Sequence, residues 1–129
     1  MTSFDAATLT ADEMAAGLMA GNDGQWAQDA GTLLVVWHGF WLRDAKFRRY
    51  VVKSQFSDSL QINWEELGRA LEAGLIEGGD SEIGVLNIAT SIAMFYHRIN
   101  FRDNLSKHSP EVMEYISRAV RHASGYGDD

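Results

Sequence analysis

The chain has 129 residues, of which 46% are hydrophobic, 22% charged and 11% aromatic, and its formal net charge is −7. This size suits one domain, 1–129, with a core of its own, and the composition excludes wholesale disorder. The absence of cysteine excludes disulfides, thiol catalysis and cysteine-ligated metal sites, and the overall acidity opposes generic nucleic-acid binding, which rests on phosphate neutralisation.

In chain order, residues 1–9 lack periodicity and read as a loose N-terminal arm. Thr10 followed by Glu13 has the spacing of a capping box. Ala11, Met14, Ala15, Leu18 and Met19 then share one helical face, which Gly21 stops. Asn22-Asp23-Gly24 has turn composition. A second helix is expected over 25–42. At about 100° per residue, Trp26, Ala30, Leu33, Leu34, Trp37, Phe40 and Trp41 fall in one arc of roughly 120°. Asp44 and Arg48 intrude on that stripe, so the helix should end, kink or leave the core near residue 43. Residues 48–53 are read as helix in preference to strand, although Tyr50-Val51-Val52 is β-prone.

The segment 55–62 is ambiguous. Asn63 caps a helix with Glu66 at its third position, whose buried face is Trp64, Leu67, Leu71 and Leu75 and which ends at Gly78-Gly79. The nearly continuous apolar run from Ile83 to Ile99, broken by Asn87, Thr90 and Ser91, predicts a helix over 82–99 buried on several sides. Ser109 and Pro110 open the last helix, in which Val112, Tyr115, Ile116, Ala119, Val120 and Ala123 face inward. Gly125 stops it, and 126–129 read as a disordered tail. The expected fold is all-α, a single compact bundle of about five helices with 25–42 and 82–99 as its central pair.

Several residue groups are candidate sites. Residues 43–53 carry five bases against Asp44, and on a helical wheel Arg43, Lys46, Arg49 and Lys53 gather on one face near Phe47 and Tyr50. Such a face suits an acidic partner or a phosphate backbone, unless the acidic helix bearing Glu65, Glu66, Glu72 and Glu77 lies against it. Trp37 and Trp41 are either core or an interface anchor, including one for homodimerisation. The four histidines lack Glu-x-x-His or His-x-x-x-His spacing, so neither a metal nor a cofactor is expected. The glycines at 21, 24, 74, 78 and 79 lack the Lys and Ser/Thr of a phosphate loop.

Two resemblances follow from particular residues. Asn100-Phe101-Arg102-Asp103-Asn104-Leu105 and Arg118-Ala119-Val120-Arg121-His122-Ala123-Ser124-Gly125 resemble small helical proteins of actinobacterial genomes and mobile elements. This similarity implies a bacterial or phage cytosolic origin and brings no activity with it. Arg102 and His108, as Arg-x5-His, resemble the signature of HEPN ribonucleases, in which the Arg would stabilise phosphate charge and the His would act in acid–base cleavage. Asp103 departs from that pattern by opposing phosphate.

The N-terminus Met1-Thr2-Ser3-Phe4-Asp5 is acidic where a secretory signal would be basic. The most apolar run, 33–42, is far short of the about 20 residues of a membrane span. A cytoplasmic protein with no membrane partner is therefore expected. With no reactive residues at useful spacing, the first functional reading is a non-catalytic interaction protein that binds a protein partner or itself. The alternatives are the HEPN-like ribonuclease using Arg102 and His108, and a nucleic-acid-binding module using 43–53.

Overall fold

The computed structural model describes residues 6–21, 26–54, 59–94, 97–106 and 108–125. The expected turn at 22–24 and the tail at 126–129 lie outside them. The chain is mostly helical, and the described residues form six α-helices and one small hairpin. No described helix is long and apolar enough to cross a membrane.

Helix α1, Ala11–Ala20, starts as its sequence dictates. The Glu13 N–H donates to Thr10 Oγ1 at 3.0 Å and the Thr10 N–H to Glu13 Oε1 at 2.8 Å, closing the capping box. Met14 and Leu18 are fully buried one turn apart. Gly21 ends the helix with φ −79°, so its role is spatial rather than conformational: the carbonyl of Leu60 occupies the place of its missing Cβ.

Helix α2, Trp26–His38, and helix α4, Asp80–Ala93, form the expected central pair. Residues 29 to 35 are buried without interruption, since α1, α4 and α6 cover α2 from different sides. Gly31 permits a close approach of the two helices. A Cβ there would lie 2.7 Å from the Ala89 carbonyl and 3.1 Å from the Ala93 Cβ. Across from it Val85, Leu86, Ile88 and Ala89 are buried, and Thr90 satisfies its hydroxyl on the Leu86 carbonyl at 2.8 Å.

Helix α2 is shorter than predicted. Gly39, at φ +80°, turns the chain after His38, and Trp41–Arg43 and Phe47–Tyr50 form separate 3-10 turns. The apolar stripe therefore breaks at both ends. Trp26 is 57% exposed and Phe40 42%, whereas Trp41 is swung into the core with no exposure. The helix expected over 48–53 is corrected in its second half: 48–50 belong to the 3-10 turn, and 51–53 are strand. Strand β1, Val51–Lys53, pairs antiparallel with β2, Leu60–Ile62, in the register Val51↔Ile62, Val52↔Gln61 and Lys53↔Leu60. Burial alternates along β2, inward at Leu60 and Ile62 and outward at Gln61, whereas in β1 Val51 alone is buried and both Val52 and Lys53 are exposed.

Helix α3, Trp64–Glu72, is capped by Asn63 Oδ1, which accepts the Glu66 N–H at 3.2 Å. It stops before Gly74 (φ +72°), so Leu75, expected on the buried face, is 65% exposed. Helix α4 ends at Ala93 rather than continuing to 99, because Met94 is already extended. The short α5, Phe101–Leu105, was not expected; Asn100 caps it through the Asp103 N–H at 3.1 Å. Helix α6, Pro110–Ala123, begins on the Ser109 cap and ends before Gly125 (φ +86°), over which the Trp26 ring lies. Ile116 and Ala119 face the core, but Val120 is 43% exposed.

The expected loose arm is anchored in its second part. Residues Ala6–Thr8 form a 3-10 turn, and Leu9 packs against the core.

Candidate functional site

The cationic segment is held by side chains that bond to backbone. Asp44 Oδ1 accepts the Phe47 N–H at 2.8 Å, which starts the second 3-10 turn. Phe47 is fully buried and its ring lies 6.1 Å from that of Trp41. Arg48, half-buried, donates from Nε to the Leu42 carbonyl at 2.7 Å and from a terminal nitrogen to the Leu9 carbonyl at 2.6 Å. One guanidinium thus ties the N-terminal segment to the chain after Trp41.

Pinning Phe47 and Arg48 inward leaves Arg43, Lys46, Arg49 and Lys53 exposed, with Tyr50 half-buried. Of the six residues expected to bind, Phe47 is therefore a core residue. Lys46 pairs with Glu77 at 3.2 Å, but both side chains are largely exposed, so water screens the pair. Glu65 and Glu66 turn instead to Arg69, at 2.7 and 3.0 Å. Internal neutralisation is therefore partial, and among the described residues Arg43 and Arg49 make no ion pair. A surface hollow of about 210 Å³ lies between Phe40, Arg43 and Asp44.

Trp41, considered as an interface anchor, has no exposed surface and donates from Nε1 to the Glu82 carbonyl at 2.9 Å. It joins the 3-10 turn to the start of α4 and offers nothing to a partner. Trp37 is half-buried, with the Arg118 guanidinium 4.8 Å above its ring.

His108 is committed on both ring nitrogens. Its Nε2 meets the Asn104 carbonyl, which can only accept, so Nε2 carries the proton. Its Nδ1 then accepts the Ser81 hydroxyl at 2.8 Å. The ring fastens the segment before α6 to α4 and α5, and neither nitrogen is open to a substrate. Arg102 is exposed on α5.

A cavity that the sequence did not suggest lies between α3 and the chain after α4. It has a volume of about 260 Å³ and is lined by Trp64, Glu65, Gly68, Arg69, Glu72, Met94 and His97. His97 is 6% exposed. Its Nε2 meets Asn87 Oδ1 at 3.1 Å, Asn87 Nδ2 donates to Asn104 Oδ1 at 3.2 Å, and Asn104 Nδ2 donates to the Asn100 carbonyl at 2.8 Å. Burial pushes the His97 pKa down, and Glu72, 3.8 Å from Nδ1, partly opposes that shift. His38 is also pushed down by burial, against Glu82 and with His108. The one hint in the sequence was Asn87, a polar residue inside an apolar run; nothing local connected it to position 97 or 72. Among the described residues, no group of three or more His, Asp or Glu side chains is placed to hold a metal ion.

No protein-family model, no curated protein and no solved structure matches the chain.

Proposed function

We propose that this is a non-catalytic binding protein that docks an acidic surface of a protein partner against residues 40–53. The observation that carries the reading is the pair Arg43 and Arg49, exposed and without ion pairs among the described residues, on a backbone pinned by Phe47 and Arg48. A preorganised cationic surface loses little entropy on binding and steers acidic partners to it. Phe40, exposed beside Arg43, adds the aromatic contact that a docking surface uses for affinity. A protein is favoured over nucleic acid because the net charge of −7 repels an extended polyanion, whereas a compact acidic patch meets only the local positive field.

Fluorescence anisotropy with a labelled Asp/Glu-rich peptide containing one aromatic residue tests the reading, with a DNA duplex of matched charge as comparator. The peptide binds, and the double variant Arg43→Glu, Arg49→Glu loses at least about tenfold in affinity with its helical signal unchanged, about 1.4 kcal/mol. Tighter binding of the duplex, or equal peptide binding by the double variant, excludes the proposal.

A further inference from the structure

Two hydrogen-bond acceptors face each other across the wall of the His97 cavity, and the direction of an amide chain is what makes them both acceptors. The Asn100 carbonyl can only accept, so Asn104 turns Nδ2 toward it and presents Oδ1 to Asn87. Asn87 must then donate from Nδ2, which leaves its Oδ1 for His97. The proton of the neutral ring therefore sits on Nε2 and the lone pair on Nδ1. That Nδ1 is buried and has no hydrogen-bond partner among the described residues, and the carboxylate of Glu72 is 3.8 Å away. A lone pair and a carboxylate at this separation repel unless a donor or a positive charge joins them.

The rest of the lining narrows what that donor is. Trp64 and Met94 are apolar walls, Gly68 contributes no side chain, and Glu65 and Arg69 neutralise each other at 2.7 Å. Among the described residues, the basic group within ion-pair distance of Glu72 is His97 itself. A neutral donor satisfies Nδ1 alone, whereas a cationic donor with several N–H groups reaches Nδ1 and the Glu72 carboxylate together. A metal ion needs more ligands than this pair supplies.

We propose that the cavity binds a small primary ammonium ion, which donates to both His97 Nδ1 and the Glu72 carboxylate. An ammonium group has three donors and no acceptor, which matches two facing acceptors. Its apolar body lies against Trp64 and Met94, where the indole also favours a cation. A volume of about 260 Å³ restricts the ligand to a small molecule. Glu72 is the movable rim: its side chain is 64% exposed, and it swings outward to admit the ligand to the nitrogen sealed beneath it.

Phenethylammonium chloride, titrated into the ¹⁵N-labelled full chain at pH 7.5, tests the proposal, with 2-phenylethanol as the neutral analogue of the same size. Saturable shifts of the amides of Gly68, Glu72, Met94 and His97 are expected, with the amine bound at least about tenfold more tightly than the alcohol. Glu72→Gln changes an exposed side chain, so the fold persists, and it weakens the amine about five- to tenfold. Lowering the pH to 5 also weakens binding, because a proton on Nδ1 replaces the ammonium and pairs with Glu72. Among the described residues, the charged groups facing His97 are Glu72, Glu65 and Arg69 on α3, and its contact from α4 is the uncharged Asn87. Equal binding of the alcohol, an unaltered affinity in Glu72→Gln, or shifts confined to residues away from the cavity would overturn the proposal.

Discussion

The α2–α4 pair and the segment from Gly39 to Ile62 use opposite means to reach the same core. The two helices meet through small residues, Gly31 against Ala89 and Ala93, and bury nearly continuous apolar faces. The 39–62 segment holds two 3-10 turns and a short hairpin, and inserts Trp41, Phe47, Val51, Leu60 and Ile62 individually. Its backbone is held by Asp44, by the Arg48 guanidinium and by Trp41 Nε1 rather than by long hydrogen-bond ladders. Both regions are stabilised by packing, but in the second a few polar attachments fix which side chains enter the core.

The contrast is broken most severely from the helical side. Leu34→Ala empties a fully buried position on α2, and a loss of about 2–5 kcal/mol is expected in global stability. Urea denaturation measures it as a single cooperative transition at lower midpoint. Arg48→Met keeps an apolar stem and removes the carbonyl ties to Leu42 and Leu9, which costs about 2 kcal/mol at a half-buried charged site. Its signature is local. Hydrogen exchange speeds up first across residues 6–10 and 42–49, while α2 and α4 stay protected. Uniform loss of protection over the whole chain would show that the two regions are not separable in this way.

The smallest effect sharpens the comparison through pH. His38 and His97 both have pKa values lowered by burial, so the folded state binds their protons less readily than the unfolded chain. Their neutral forms contribute full stability above the ordinary histidine value of 6.5, and that contribution is lost as the pH falls below it. His97→Gln flattens the acid limb and leaves the part due to His38. Glu72→Gln removes the group that opposes the shift and steepens the limb. Thermal unfolding at intervals between pH 7.5 and 5 distinguishes the two variants from the parent; identical slopes would remove His97 from the acid response.

What the sequence made legible was local. The caps Thr10 with Glu13, Asn63 with Glu66, and Ser109 with Pro110 are read within four residues and form as spaced. The buried runs of α2 and α4 declare themselves because residues that are apolar on every side need cover on every side. The strand at 51–53 was not expected because it depends on a partner, Leu60–Ile62, that no local pattern supplies. Trp41 lies on the apolar stripe only if the helix continues, and Gly39 ends that continuation. The exposed cations at 43, 46, 49 and 53 were visible from charge alone, but that Phe47 faces the core while Arg48 reaches back to Leu9 was not. The His97 cavity joins positions 64–72 with 94 and 97 and depends wholly on how α3 meets the end of α4.

The chain of amides from Asn100 to His97 behaves as a one-way circuit. Reversing any single amide in it would set carbonyl against carbonyl or amine against amine, so Asn104, Asn87 and the imidazole must turn together or not at all. The tautomer of His97 is therefore decided at the cap of α5, on the far side of α4 residue Asn87. Imidazole nitrogen resonances then report, from inside the cavity, whether that small helix is seated: one sharp tautomer while it is docked, and exchange between two when it lifts.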